Sequence, residues 1–193
     1  MQSTMNYVDE QARSDAVEIP DCVLANNDEI MKQMSILFRL VKLLKEDGIS
    51  QESFNNIAFR YGKRLQGCLD LWLLYRRIAS EETRIYRAEL ESVLECNSTL
   101  SVRHTIGDIS EEEFRLKQAM YDWDIKNLNE KSRPYEDSLS QLQSIRGKFK
   151  LDDSDEMRLL MDDDCMTIME LGLDSQVSEL LLGNFSALAT IID

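Results

Sequence analysis

Histidine is nearly missing from this chain: among 193 residues only His104 is one, which removes the commonest general base. No GxSxG, HExxH or glycine-rich phosphate loop compensates for it. The four cysteines, Cys22, Cys68, Cys96 and Cys165, lie tens of residues apart with no CxxC pair. A structural zinc site needs soft ligands in close pairs, so these thiols read as small core residues or inert thiols in a reducing compartment. The acid run Asp162, Asp163 and Asp164 lacks the glycine and distant glutamate of a calcium loop. The expectation is a protein that is not an enzyme, with no catalytic residue, no cofactor and no metal.

Turn residues are equally scarce. Seven glycines and two prolines are too few for the many reversals of a sheet protein, and 30% charged residues suit helices. No apolar run approaches the roughly 18 residues of a membrane span. The longest, "LDLWLLY" at Leu69–Tyr75, stops at Arg76 and Arg77. The first twenty residues lack the basic start and apolar centre of a signal peptide, so a cytoplasmic location is expected.

What the chain has in abundance is acid, unevenly placed. The formal charge is -14. Residues 151–193 hold eleven acids against Arg158 alone, residues 1–27 hold five against Arg13, and the middle is balanced. Three segments follow: an acidic N-terminal tail (1–27), a helical hairpin domain (28–150), and an acidic C-terminal segment with short amphipathic helices (151–193). Such ends repel phosphates, so no nucleic-acid partner is expected. The cluster Arg60, Lys63, Arg64, Arg76, Arg77, Arg84 and Arg87 reads as a solvated helix face interleaved with acids.

Two phrases carry the architecture. In "GDISEEEF", Ser110 has the place of an N-cap and Glu113 that of its capping-box partner, while Ile109 and Phe114 have the spacing of a hydrophobic staple. Gly107 supplies the left-handed residue that ends the preceding helix. The earlier copy, "DGISQESF", repeats the pattern with Gly48, Ser50, Ile49 and Phe54. Two reversals define three helices, near 28–46, 51–104 and 111–146. Their apolar stripes alternate steps of four and three: Ile30, Met34, Leu37, Val41 and Leu44 in the first; Phe54 through Ala79 in the second, weakening at Glu82 and Glu89; Tyr121 through Leu142 in the third. By length, the first and third helices meet over the second near Cys68 to Trp72. Pro134 is expected to kink or break the third, and Gly62 and Gly67 are possible bends in the second. The fold class is all-α: antiparallel helical hairpins, a coiled coil of three main helices with short C-terminal helices. So thin a rod exposes apolar surface, and homo-oligomers are expected.

The run "VRHTIGDISEEEFRLKQAMYDWDIKNLNEKSRPYEDSLSQLQSIRGK" and its echo "LLKEDGISQESFNNIAFRYGKRLQ" resemble the coiled-coil domain of archaeal CdvA-like proteins over about Ile36 to Lys150. The resemblance covers the coiled coil alone, since 1–27 carries no strand pattern for the PRC-type barrel of that family. It implies a filament-forming or scaffolding role in archaeal cell division or membrane remodelling, with an ESCRT-III-like partner bound near the C-terminus.

In the C-terminal segment Val177, Leu180, Leu181, Phe185, Leu188 and Ile191 fit one face of one or two short helices. Such a face either docks in a partner's groove or folds back on the chain's own hairpin. Two functions remain: a coiled-coil scaffold or interaction protein, or an acidic helical adaptor that occupies a basic surface of a partner protein.

Overall fold

The computed structural model describes residues 3–148, 165, 166, 168–170 and 172–192, with the backbone alone for 3–20, 146, 148 and 192. Four helices carry the fold: α1 (Ser3–Lys45), α2 (Gln51–Thr105), α3 (Glu111–Lys148) and α4 (Ser175–Ile192). No strand occurs among the described residues, and the protein is all-α. Helix α1 begins far ahead of the expected start near Asp28. Its buried stripe runs Val23, Asn27, Ile30, Met34, Leu37, Val41, Leu44, in steps of four and three. The apolar pattern hides this because polar Asn27 fills a core position.

Contacts divide the chain into two compact units. The first joins α1 through Pro20 to Arg76–Leu139; the second joins Asp21–Tyr75 to the chain from Ser140 onward. Helix α2 thus supplies residues to both, and its stripe changes step where it passes from one to the other. The second unit uses Leu65, Leu69 and Trp72, and the first uses Ala79, Thr83, Tyr86, Leu90, Val93, Asn97 and Leu100. From Tyr75 the steps are four and four before the alternation resumes. The doubled four follows a doubled three at Leu69, Trp72 and Tyr75, so the two cancel, and Leu65, Trp72, Ala79, Tyr86, Val93 and Leu100 stay seven residues apart in one unbroken heptad phase. Glu82 and Glu89 lie one residue before Thr83 and Leu90 of that stripe.

Both reversals form as capped turns, with three differences in detail. After α2, Gly107 has φ 78°, its N–H donates to His104 O at 3.0 Å, and the Asp108 N–H donates to Arg103 O at 2.9 Å. These two bonds are a Schellman motif. After α1 the left-handed residue is Asp47, with φ 53°, and not Gly48. Gly48 comes next, its N–H 2.8 Å from Leu43 O, and a Cβ there would meet that oxygen at 3.3 Å. So Gly48 serves close approach while Asp47 bears the unfavourable φ. Asp47→Gly is expected to raise stability by about 0.5–1 kcal/mol, because glycine adopts this φ without a Cβ clash. A urea midpoint unchanged or lowered would contradict this.

The caps themselves are as expected on one side. Ser110 Oγ accepts from the Glu113 N–H at 3.2 Å, and Ser50 Oγ accepts from the Ser53 N–H at 3.2 Å. The Glu113 carboxylate, however, accepts from Lys117 Nζ at 2.7 Å instead of closing the capping box. Ile109 and Phe54 are buried, while Phe114 stacks on His104 at 4.2 Å. Pro134 lies inside an unbroken α3. Proline removes the donor to the carbonyl of Glu130, an exposed residue where water can take its place.

Candidate interaction surface

In the second unit α4 lies on α1 and α2. Val177, Leu180, Leu181, Phe185, Leu188 and Ile191 are all buried. Phe185 stacks on Phe38 of α1 with centroids 5.8 Å apart. Gly62 of α2 faces Leu180 and Leu181, and a Cβ on it would come within 2.9 Å of Leu180 Cδ2. Beside this contact, buried Asn184 donates from Nδ2 to Gly62 O at 2.8 Å. Glycine at 62 therefore lets two helices approach; Gly67 meets nothing within 4 Å. Of the two arrangements open to the C-terminal face, the fold adopts the one within the chain. The six residues expected to meet a partner are buried within the chain, Phe185 against α1 and Leu180 and Leu181 against α2.

Polar groups in this unit join helices and do not converge on a ligand. Asn26 Nδ2 donates to Cys68 O at 2.9 Å, and Asn27 Nδ2 donates to Gln141 O at 2.8 Å, tying α1 to both α2 and the end of α3. Gln33, fully buried, donates to the Glu29 carboxylate. Burial, then the nearby Glu29 charge, pushes the Cys68 thiol up, which keeps it protonated and unreactive. Burial likewise raises the Tyr75 hydroxyl, with Cys22 adding to the effect. No group of three or more His, Cys, Asp or Glu among the described residues is placed to hold a metal ion.

The first unit presents a different surface. Its buried residues among those described are few and mostly small or polar: Ala79, Thr83, Leu100, Ile109, Ser132 and Ser138. Tyr86 of α2 and Tyr135 of α3 stack at 5.9 Å, and Arg87 reaches Glu136 at 3.4 Å. At the turn, His104 Nε2 is 2.8 Å from Glu111, Arg115 is 2.7 Å from the same carboxylate, and Arg103 meets Asp108 at 2.6 Å. The hydrogen bond and charge of Arg115, then His104, hold the Glu111 carboxyl below its usual range. Members of the basic cluster make surface contacts: Arg84 pairs with Glu81 at 2.6 Å, and in the second unit Arg60 and Arg64 lie over the Tyr61 ring.

Large apolar side chains remain in solvent on α2 and α3 of this unit: Ile78, Ile85, Leu94 and Val102 on α2, and Leu116, Met120 and Trp123 on α3. The α3 set escapes an apolar-stripe reading because Tyr121, Ile125 and Leu128 beside it mark the inner face. Its own steps of four and three were nonetheless visible in the sequence. No described helix is long and apolar enough to cross a membrane. No protein-family model, curated protein or solved structure matches the chain.

Proposed function

We propose that this chain is a non-enzymatic, cytoplasmic coiled-coil interaction protein that assembles with copies of itself and acts as a scaffold. The exposed apolar side chains on α2 and α3 of the first unit carry this reading, because solvated apolar rows on long helices mark protein contacts. The resemblance to CdvA-like coiled coils extends the proposal to archaeal cell division or membrane remodelling, with an ESCRT-III-like partner. Since α4 is occupied within the chain, that partner either uses another surface or first releases α4.

The test is sedimentation of the full chain over roughly 5–500 µM, a range that brackets the dissociation constants of small interfaces. The weight-average mass should rise with concentration above 22.4 kDa. A mass that stays at the monomer value throughout would sink the scaffold reading. The formal charge of -14 favours a second reading, an adaptor that occupies a basic protein surface as a stable monomer or dimer. Its partner binding would weaken steeply with salt, whereas apolar self-assembly would strengthen or hold.

A further inference from the structure

Leu116, Met120 and Trp123 of α3 are 66%, 59% and 65% exposed. Their steps of four and three align them in one stripe, about 150° around the helix from the inner face marked by Tyr121 and Ile125. Asn127 holds the next place in the stripe. Lys117 and Asp124 occupy equivalent positions on one flank, seven residues apart. Ala119 and Lys126 occupy the other flank.

We propose that α3 of a second copy of this chain docks antiparallel on Leu116, Met120 and Trp123, with Lys117 of each copy against Asp124 of the other. This rests on the self-assembly reading above and gives it a surface and a geometry. A two-fold axis between Met120 and Trp123 sets Met120 on Trp123 of the second copy and Leu116 on Asn127 of the second copy. In antiparallel helix pairs like flanks face each other, so the same axis opposes Lys117 and Asp124 twice, by symmetry. The other flank opposes Ala119 to Lys126, which is neutral. Beyond these layers Glu113 would face Glu130 of the second copy, which ends the contact; each is already beside its own lysine, at 2.7 Å for Lys117 and 3.9 Å for Lys126. In a parallel pair Lys117 and Asp124 would not meet: Lys117 would face Glu112 and Lys126 would face Lys131 of the second copy, one attraction against one repulsion. Unlike charges at the two matching flank positions are what a self-complementary surface needs, and what an unrelated occupant would not require.

The experiment is sedimentation velocity on the full chain at low salt, comparing wild type with Trp123→Asp, Lys117→Asp and Asp124→Lys, and with an equimolar mixture of the last two. All three substitutions are at surface positions, and far-ultraviolet circular dichroism confirms that each variant is helical. Trp123→Asp should weaken self-association by at least about tenfold, and each charge reversal by roughly three- to tenfold, since each places two like pairs in the dimer. The mixture should return to wild-type strength, because both pairs are then attractive only in a heterodimer of this geometry. Association untouched by Trp123→Asp, or a mixture no tighter than its components, overturns this surface and leaves the scaffold reading standing. A wild type monomeric at every concentration removes both.

Discussion

Phe185→Ala should cost the second unit about 3–5 kcal/mol, the range for truncating a buried phenylalanine. The ring is 2% exposed and stacks on Phe38 with an interplanar angle of 16°. Truncation removes both the area and the aromatic pair, which adds roughly 0.5–1.5 kcal/mol beyond burial. Neighbours on α4 are buried as well, so the space left can close only if the helix shifts on α1. The check is urea denaturation followed through Trp72, which lies buried in the same unit. A midpoint within error of wild type would mean that α4 is not held where the structure has it.

Gly62→Leu attacks the same seat from the other side. Alanine is expected to be nearly neutral: its Cβ presses Leu180 Cδ2, the free end of a side chain, and removing a mid-helix glycine returns about 1 kcal/mol of helix propensity. Leucine cannot be absorbed this way, because its added carbons point into the space of Leu180 and Leu181. Overpacking costs about 1–3 kcal/mol, and displacing α4 also breaks the Asn184 bond, a further 1 kcal/mol or so. Hydrogen exchange of the α4 amides should accelerate strongly in Gly62→Leu and little in Gly62→Ala. Equal protection in both variants would refute the close contact.

The turns were legible because each rests on local chemistry: Ser50 and Ser110 cap the amide three residues on, whatever the rest of the chain does. What escaped the sequence depends on residues far away. Gly62 looks like a bend until Leu180 is known to sit against it, and Asn27 looks like the end of a stripe until Gln141 supplies its acceptor. Asp47 took the left-handed place that Gly48 seemed to claim, since either residue tolerates it and the helix merely ended one position earlier. The C-terminal face could be recognised as apolar, but amphipathicity does not say whether its groove lies in the same chain. For the exposed α3 stripe the pattern was present and was masked by the longer inner stripe interleaved with it in the sequence.

The bond between Asn184 and Gly62 spans 122 residues. On a ribosome adding about 5–20 residues each second, the Gly62 carbonyl waits roughly 6–24 s before its donor, Asn184, is made. The α1–α2 hairpin therefore emerges with its apolar seat unfilled, while all of Arg76–Leu139 is made before α4 exists. Unit one is complete before α4 is made; unit two is closed only once α4 has been made. Until then the open seat is where a nascent chain would meet a chaperone, or the α4 of a neighbour on the same message.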